Sequence, residues 1–286
     1  MKLKLDLHVH SEASFDGCMT VAQIAALAKK RGLDGVAICD HDVVYTGPTE
    51  VDGVLIIPGA EFSTEHGHLL GLFLTAPIQY TTWEETVRAI HDQGGITVLA
   101  HPYQNKTSGS LAPFRPILDD LDAIETWNSR AARKNPKAND YAFIMALMKE
   151  KPTTGGSDAH VPQEVGRGFL TIEVEEPTLE AMKAAIRSGK KPDGGHYWGH
   201  GEPSPARYVA RSQLTKLRKT HAETGRYAKW GLFAANCLRQ DAARTLRTLK
   251  DKLPARPPKE LRDLEDQDEN DDLLDIFDTF QDGPKP

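Results

Sequence analysis

The chain has 286 residues, 39% of them hydrophobic and 27% charged, with a formal net charge of −6. That balance fits a globular protein with a sizeable core and gives no general affinity for nucleic acid. No run of about 18 apolar residues is present, which excludes a membrane-spanning helix. The cysteines, Cys18, Cys39 and Cys237, lack metal-type spacing and fit a reducing compartment. Met1 leads into a strand-like segment without an apolar leader, so a cytoplasmic location is expected.

In chain order, "KLKLDLHVH" predicts a strand with His8 and His10 on one face, and with Leu5, Leu7 and Val9 turned toward a covering layer. "TVAQIAALAKKRG" predicts a helix capped by Thr20 and ended by Gly32. "GVAICDHD" is a strand, followed by a loop from Tyr45 to Asp52 and the strands "VLIIPGAEFS" and "HGHLLGLFL". "TWEETVRAIHDQGG" is a helix closed by glycines, and "ITVLAHP" a strand ending in His101. Then come the strand "LDAIETWN", the helix "ANDYAFIMALMKE", the strand end and loop "PTTGGSDAH", the strand "GFLTIEVE" and a helix from Thr178. Strands alternating with helices of this length predict an α/β fold of parallel strands joined by crossovers.

After residue 190 the character changes. "KKPDGGHYWGHGEPSPARY" reads as a Gly/Pro-rich joint, residues 205–252 as basic helices broken near Gly225 and Gly231, and residues 260–282 as an acidic segment. The expected division is a barrel at 1–190, a basic helical extension at 191–258 and an acidic, flexible tail at 259–286, with Leu273 to Phe280 as an apolar anchor that docks.

The strand ends carry an ordered series of metal-competent side chains. They are His8 and His10 with Asp16 in the following loop; Asp40, His41 and Asp42; Glu61; His66 and His68; His101; Glu125 and Asn128; and Asp158 and His160. One histidine at a strand end is ordinarily structural. A series at the same end of successive strands points to a metal cluster, because α/β enzymes place their sites there. Imidazoles and carboxylates without clustered cysteines suit Zn²⁺, Mn²⁺ or Fe²⁺. The ligands are too many for one ion, and Glu61, the only acid in its strand, is the natural bridge between two.

The motifs "DLHVHSEASFDG", "CDHD", "GAEFS", "HGHLLG", "AHP" and "GSDAH", in that order, resemble the polymerase-and-histidinol-phosphatase (PHP) family of metal-dependent phosphoesterases. The resemblance spans residues 3 to about 190 and implies a distorted (βα)7 barrel with a trinuclear site at the C-terminal ends of its strands. It implies one ion on His8, His10, Glu61 and Asp158, a second on Glu61, His68 and His101, and a third on Asp16, His41 and His160. The implied cofactors are two to three divalent ions (Mn, Fe or Zn). The implied reaction is phosphoester hydrolysis by a metal-bridged hydroxide, with Glu61, Asp158 and His160 catalytic.

Other residues have two readings. Asp6 and Asp40 orient ligating imidazoles or cap loops, and Glu125 orients a ligand from behind. Arg130, Arg133 and Lys134, on a loop overhanging the cluster, and Arg167 either clamp the substrate phosphate or are solvated. The loop from Gln104 to Pro116 folds over a ligand or lies in solvent. The implied substrate is a small phosphorylated molecule, nucleotide-like or histidinol-phosphate-like, or the 5′ end of a short nucleic acid. An amidohydrolase-type hydrolase is the alternative, although it usually bridges its metals with a modified lysine. A non-catalytic, metal-stabilised scaffold is the third reading.

Overall fold

Strand β1 (Lys2–Val9) is the axis on which the molecule closes. The computed structural model describes residues 1–79, 82–106 and 108–220. The basic segment past residue 220, the acidic tail and the expected anchor at Leu273 to Phe280 lie outside the described residues. After β1 come α1 (Val21–Lys30), β2 (Gly35–Ile38), β3 (Glu50–Val51), β4 (Val54–Thr64), β5 (Gly67–Leu72), α2 (Trp83–Asp92), β6 (Ile96–Leu99) and β7 (Ala123–Asn128). They are followed by α3 (Ser129–Lys134), α4 (Ala138–Met148), β8 (Thr153–Gly156), β9 (Gly168–Glu173), α5 (Leu179–Ser188), β10 (Gly199–Gly201) and α6 (Ala206–Thr220).

The helices begin where the sequence carries caps. Thr20, Thr82 and Thr178 each accept a bond from the amide three residues on, and Gln23 completes a capping box with Thr20. Gly189 ends α5 in the left-handed conformation.

The sheet runs β10-β9-β1-β2-β4-β5-β6-β7-β8, with β3 on the flank of β4. The first half of β1 pairs antiparallel with β9, from Lys2 to Leu5. Its other end joins the chain just beyond β8, where the His10 amide donates to Ala159 O and the Asp158 amide to His8 O, each at 2.8 Å. These two bonds join β1 to the β8 end of the sheet and so curl it into a nearly closed barrel, the distorted α/β barrel expected.

Three local features differ from expectation. β4 and β5 are antiparallel, paired from Gly59↔Leu72 to Thr64↔Gly67. Only Glu65 and His66 separate them, too few residues for a crossover. The segment after β7 is a helix rather than a loop, because the Asn128 side chain caps it by accepting from the Ala131 amide at 2.8 Å. The Gly/Pro-rich joint contributes β10, which pairs with β9. Glycine is needed there: a Cβ on Gly199 would lie 2.6 Å from Thr154 O.

The apolar side of β1 also divides. Leu3, Leu5 and Leu7 join one cluster with Ala37, Ile57, Val98 and Ala123 from the other strands, whereas Val9 belongs to the cluster of Ile24, Ala25 and Ala28 on α1. A shift of register between Asp6 and Val9 turns the strand there. Leu5 and Leu7 therefore share a cluster with the other strands and with Met182 and Ile186 of α5, apart from the α1 cluster that takes Val9.

Candidate metal centre

His8, His10, Asp16, His41, Glu61, His68, His101, Asp158 and His160 converge on one place. Glu61, in the middle of β4 and 1% exposed, is the focus. Its Oε1 lies 2.7 Å from His68 Nδ1 and 2.9 Å from His101 Nε2. Its Oε2 lies 3.2 Å from His41 Nδ1, 3.4 Å from His10 Nε2 and 3.5 Å from His8 Nε2. Asp158 Oδ1 approaches His10 Nε2 at 3.3 Å and His8 Nε2 at 3.7 Å. On the other flank, Asp16 Oδ2 is 3.2 Å from His160 Nε2 and 3.6 Å from His41 Nε2.

The polar atoms at this focus are poorly satisfied by protein. His8 Nε2, both ring nitrogens of His10, His41 Nδ1, Glu61 Oε2 and His68 Nδ1 are buried without a hydrogen bond. Buried polar atoms ordinarily find partners, so such a convergence has the chemistry of a cation site. Sets with ligand atoms within 4.8 Å of one another are His10, Asp16, His41 and His160; His8, Glu61 and His101; His8, His10 and Asp158; and His41, Glu61 and His68. His41 belongs to both flanks. The donors are nitrogen and oxygen only, which suits a borderline or hard divalent ion.

The electrostatics are strongly coupled. Burial alone would raise the Glu61 carboxyl, yet His68, His8 and His41 hold it well below the usual carboxylate range. Burial would lower His41, but Glu61 and Asp16 outweigh it and raise it to about 9. His10 is pushed well below the usual imidazole range by burial, reinforced by His160 and His41.

A second layer of side chains orients the first. Glu125 Oε1 lies 3.0 Å from His8 Nδ1, and its Oε2 accepts from the His101 amide at 2.8 Å and from Asn128 Nδ2 at 3.0 Å. Asp40 takes the loop-capping role: it accepts from the Ser11 amide and from Ser11 Oγ, both at 2.6 Å. Asp6 likewise holds backbone, accepting from the Ser157 amide at 2.8 Å and the Gly166 amide at 2.7 Å. Two residues of the centre, His101 and Asp158, have φ of 28° and 56°, a region that side chains seldom adopt. The bonds of both backbones to neighbouring groups hold them there.

The arginines have protein partners of their own. Arg130 is buried, its Nε and Nη2 donating to the two oxygens of Glu164 at 3.1 and 2.8 Å and Nη2 also to Ser212 Oγ at 2.6 Å. Arg167 pairs with Glu202 at 2.9 Å, and Arg133 lies in the last turn of α3. His66 stands edge-on to Trp83, away from the centre, and Cys39 is buried in the barrel's apolar cluster. Glu164 was not anticipated from sequence. It accepts from the His160 amide at 3.0 Å, and its only signal is its place four residues after that histidine.

Comparison with known proteins agrees with this geometry. The PHP domain model matches residues 6–100 and the PHP-associated model residues 136–190. An uncharacterized protein of Methanocaldococcus jannaschii is 32% identical over 190 residues, spanning 61% of this chain and 74% of its own. A probable phosphatase of Syntrophotalea carbinolica is 40% identical over 74 residues, 21% of this chain and 31% of its own. In fold, the chain is similar to a two-domain Bacteroides vulgatus protein containing a predicted PHP-like metal-dependent phosphoesterase. The TM-score is 0.54 at 19% identity, covering 75% of this chain and 70% of that one. Both PHP models fall on segments that supply the centre and its surroundings, and the matched M. jannaschii protein is covered over most of its length: the chain belongs to the PHP family.

Proposed function

We propose that this hydrolase, a metal-dependent phosphoesterase, cleaves a small phosphomonoester at a centre of two to three divalent ions, Mn, Fe or Zn. The ligands would be His8, His10, Asp16, His41, Glu61, His68, His101, Asp158 and His160. Divalent ions in such a centre polarise a phosphoryl oxygen and make water a stronger acid. The observation that carries the reading is Glu61, a buried carboxylate whose two oxygens face different groups of imidazoles. That disposition suits a bridge.

The chain's own residues prepare the ligand atoms. His8 Nδ1 donates to Glu125 Oε1, which leaves Nε2 as the lone-pair nitrogen directed at Glu61 and Asp158. His160 Nδ1 donates to Asp158 O at 2.9 Å, which leaves its Nε2 facing Asp16. Both tautomers are thus set for ligation. Asp158, shared between His8 and His10, and His160 beside it are proposed to hold the reacting phosphate's surroundings together with Glu61. An amidohydrolase-type site usually bridges its metals with a modified lysine, whereas the group among the imidazoles here is the Glu61 carboxylate.

The test is a screen of nucleotides, histidinol phosphate, other small phosphomonoesters and short 5′-phosphorylated oligonucleotides, with Mn²⁺, Zn²⁺ or Fe²⁺ supplied. Turnover should vanish on chelation and return on re-addition of metal. Full activity after exhaustive metal stripping, or a preference for amides and lactones over phosphoesters, would overturn the proposal.

A further inference from the structure

We infer that helix α6 is a positioning element for one flank of the metal centre, the flank formed by Asp16, His41 and His160, and that it acts through Ser212, Lys216 and Lys219. The inference rests on the proposed metal site and extends it to a helix that carries none of the ligands. These three residues stand at i, i+4 and i+7, so they share one face of the helix.

Each member of the flank is reached by a separate chain of contacts. The loop from Ser11 to Cys18 has no helix or strand, yet it must present Asp16. Lys219 Nζ donates to two of its carbonyls, Glu12 O at 2.6 Å and Ser14 O at 2.8 Å. Ser14 Oγ in turn donates to Asp16 Oδ1 at 2.8 Å. One ammonium group therefore fixes the turn from which Asp16 projects, through charge-assisted bonds that are stronger than neutral ones.

His41 is reached through an aromatic ring. Phe15 lies nearly parallel to the His41 imidazole, with centroids 4.7 Å apart and planes at 13°. Lys216 Nζ lies 4.5 Å from the centroid of the Phe15 ring. The cation holds the ring, and the ring limits the rotation of the imidazole.

His160 is reached through a buried ion pair. Ser212 Oγ accepts from Arg130, Arg130 forks onto Glu164, and Glu164 accepts from the His160 amide. Arg130 and Glu164 are 7% and 0% exposed, so a lost partner in this relay is not replaced cheaply by water. The start of α6 is itself moored to the barrel. The Glu202 amide donates to Arg167 O at 2.7 Å, the Ser204 amide donates to Ser129 O at 2.8 Å, and Ala206 and Ala210 are buried. No comparable link runs from α6 to Glu61, His68 or His101 among the described contacts. The effect therefore falls on this flank and reaches the Glu61 side only through the shared His41.

The test compares the full-length protein with its Ser212→Ala/Lys219→Met double variant, by metal analysis after dialysis and by titration calorimetry with Mn²⁺ and Zn²⁺. Loss of outer-shell support typically costs about 10- to 100-fold in metal affinity. The expected result is that loss for one class of bound ion, a smaller change for the others, and a preserved melting temperature of the metal-free protein. Lys219→Arg, which keeps the cation, should retain the affinity that Lys219→Met loses. Unchanged affinity for every ion in the double variant would overturn the inference. So would uniform weakening together with a lower melting temperature of the metal-free protein, the mark of general structural support. Should the double variant fail to fold, Lys219→Met alone decides by the same readout, since Lys219 is exposed. A wild type that binds metal but turns over no phosphoester would overturn only the proposed reaction; one that binds no metal would overturn both.

Discussion

Glu125 shows how much of the centre depends on a residue that holds no ion. Its carboxylate bonds to a His8 nitrogen, the His101 amide and the Asn128 amide group, and so links three strand ends through one buried side chain. Glu125→Gln keeps the shape but turns one acceptor oxygen into a donor. The expected result is a metal affinity about 10- to 100-fold lower, with the melting temperature of the metal-free protein little changed, checked by metal analysis and calorimetry. His10→Ala and Asp158→Ala should go further and abolish turnover while circular dichroism stays that of the folded barrel. An active Asp158→Ala variant would remove Asp158 from the ligand set. The proposed ligands stand out in the sequence because each lies in a short motif whose residue types have few other uses at a strand end. The Arg130–Glu164 pair does not, since its partners lie 34 residues apart and only the closed barrel brings them together. For Arg130 the sequence left a phosphate contact and a solvated side chain both open, and its ion pair with buried Glu164 was visible only in the fold.

Among the elements, β8 is the most constrained. It is the four-residue strand "TTGG", and its glycines let neighbouring strands approach. A Cβ on Gly156 would lie 2.4 Å from the His8 Cβ and 2.8 Å from the His8 amide nitrogen, both on a buried strand that cannot give way. Gly156→Ala should therefore lower stability by about 1–3 kcal/mol, the usual cost of overpacking a core, and should lower metal content with it. A thermal melt and a metal analysis on one preparation check both effects. An alanine variant as stable and as metal-loaded as wild type would show that β1 and β8 can separate without disturbing His8. Element by element, the sequence pattern was reliable where periodicity and caps coincide, as in α1, α2 and α5. It was unreliable where tertiary pairing decides. β10 is a glycine-rich segment that becomes a strand only because β9 offers it a partner, and α3 depends on one side-chain cap from Asn128.

On the scale of the whole molecule, the chain divides its charge: basic residues gather in 205–252 and acidic ones in 260–282. Among the described residues, the basic block reaches the proposed centre through Ser212, Lys216 and Lys219. The centre's proposed ligands run from His8 to His160, and the described contacts that support them lie between Asp6 and Lys219. Removal of residues 259–286, which carry none of the proposed ligands, should leave metal content and turnover of a small phosphoester within about twofold of wild type, as expected for changes independent of the site. A shorter chain that also lacks α6 should lose metal from the Asp16 flank, so the two truncations bracket the part of the extension that the centre uses. Metal analysis and steady-state kinetics on both, with the same phosphomonoester, make the comparison. If removing 259–286 alone abolished turnover of a small substrate, the acidic segment would have to contribute to the active site. The proposed boundary of the catalytic unit would then move to the end of the chain.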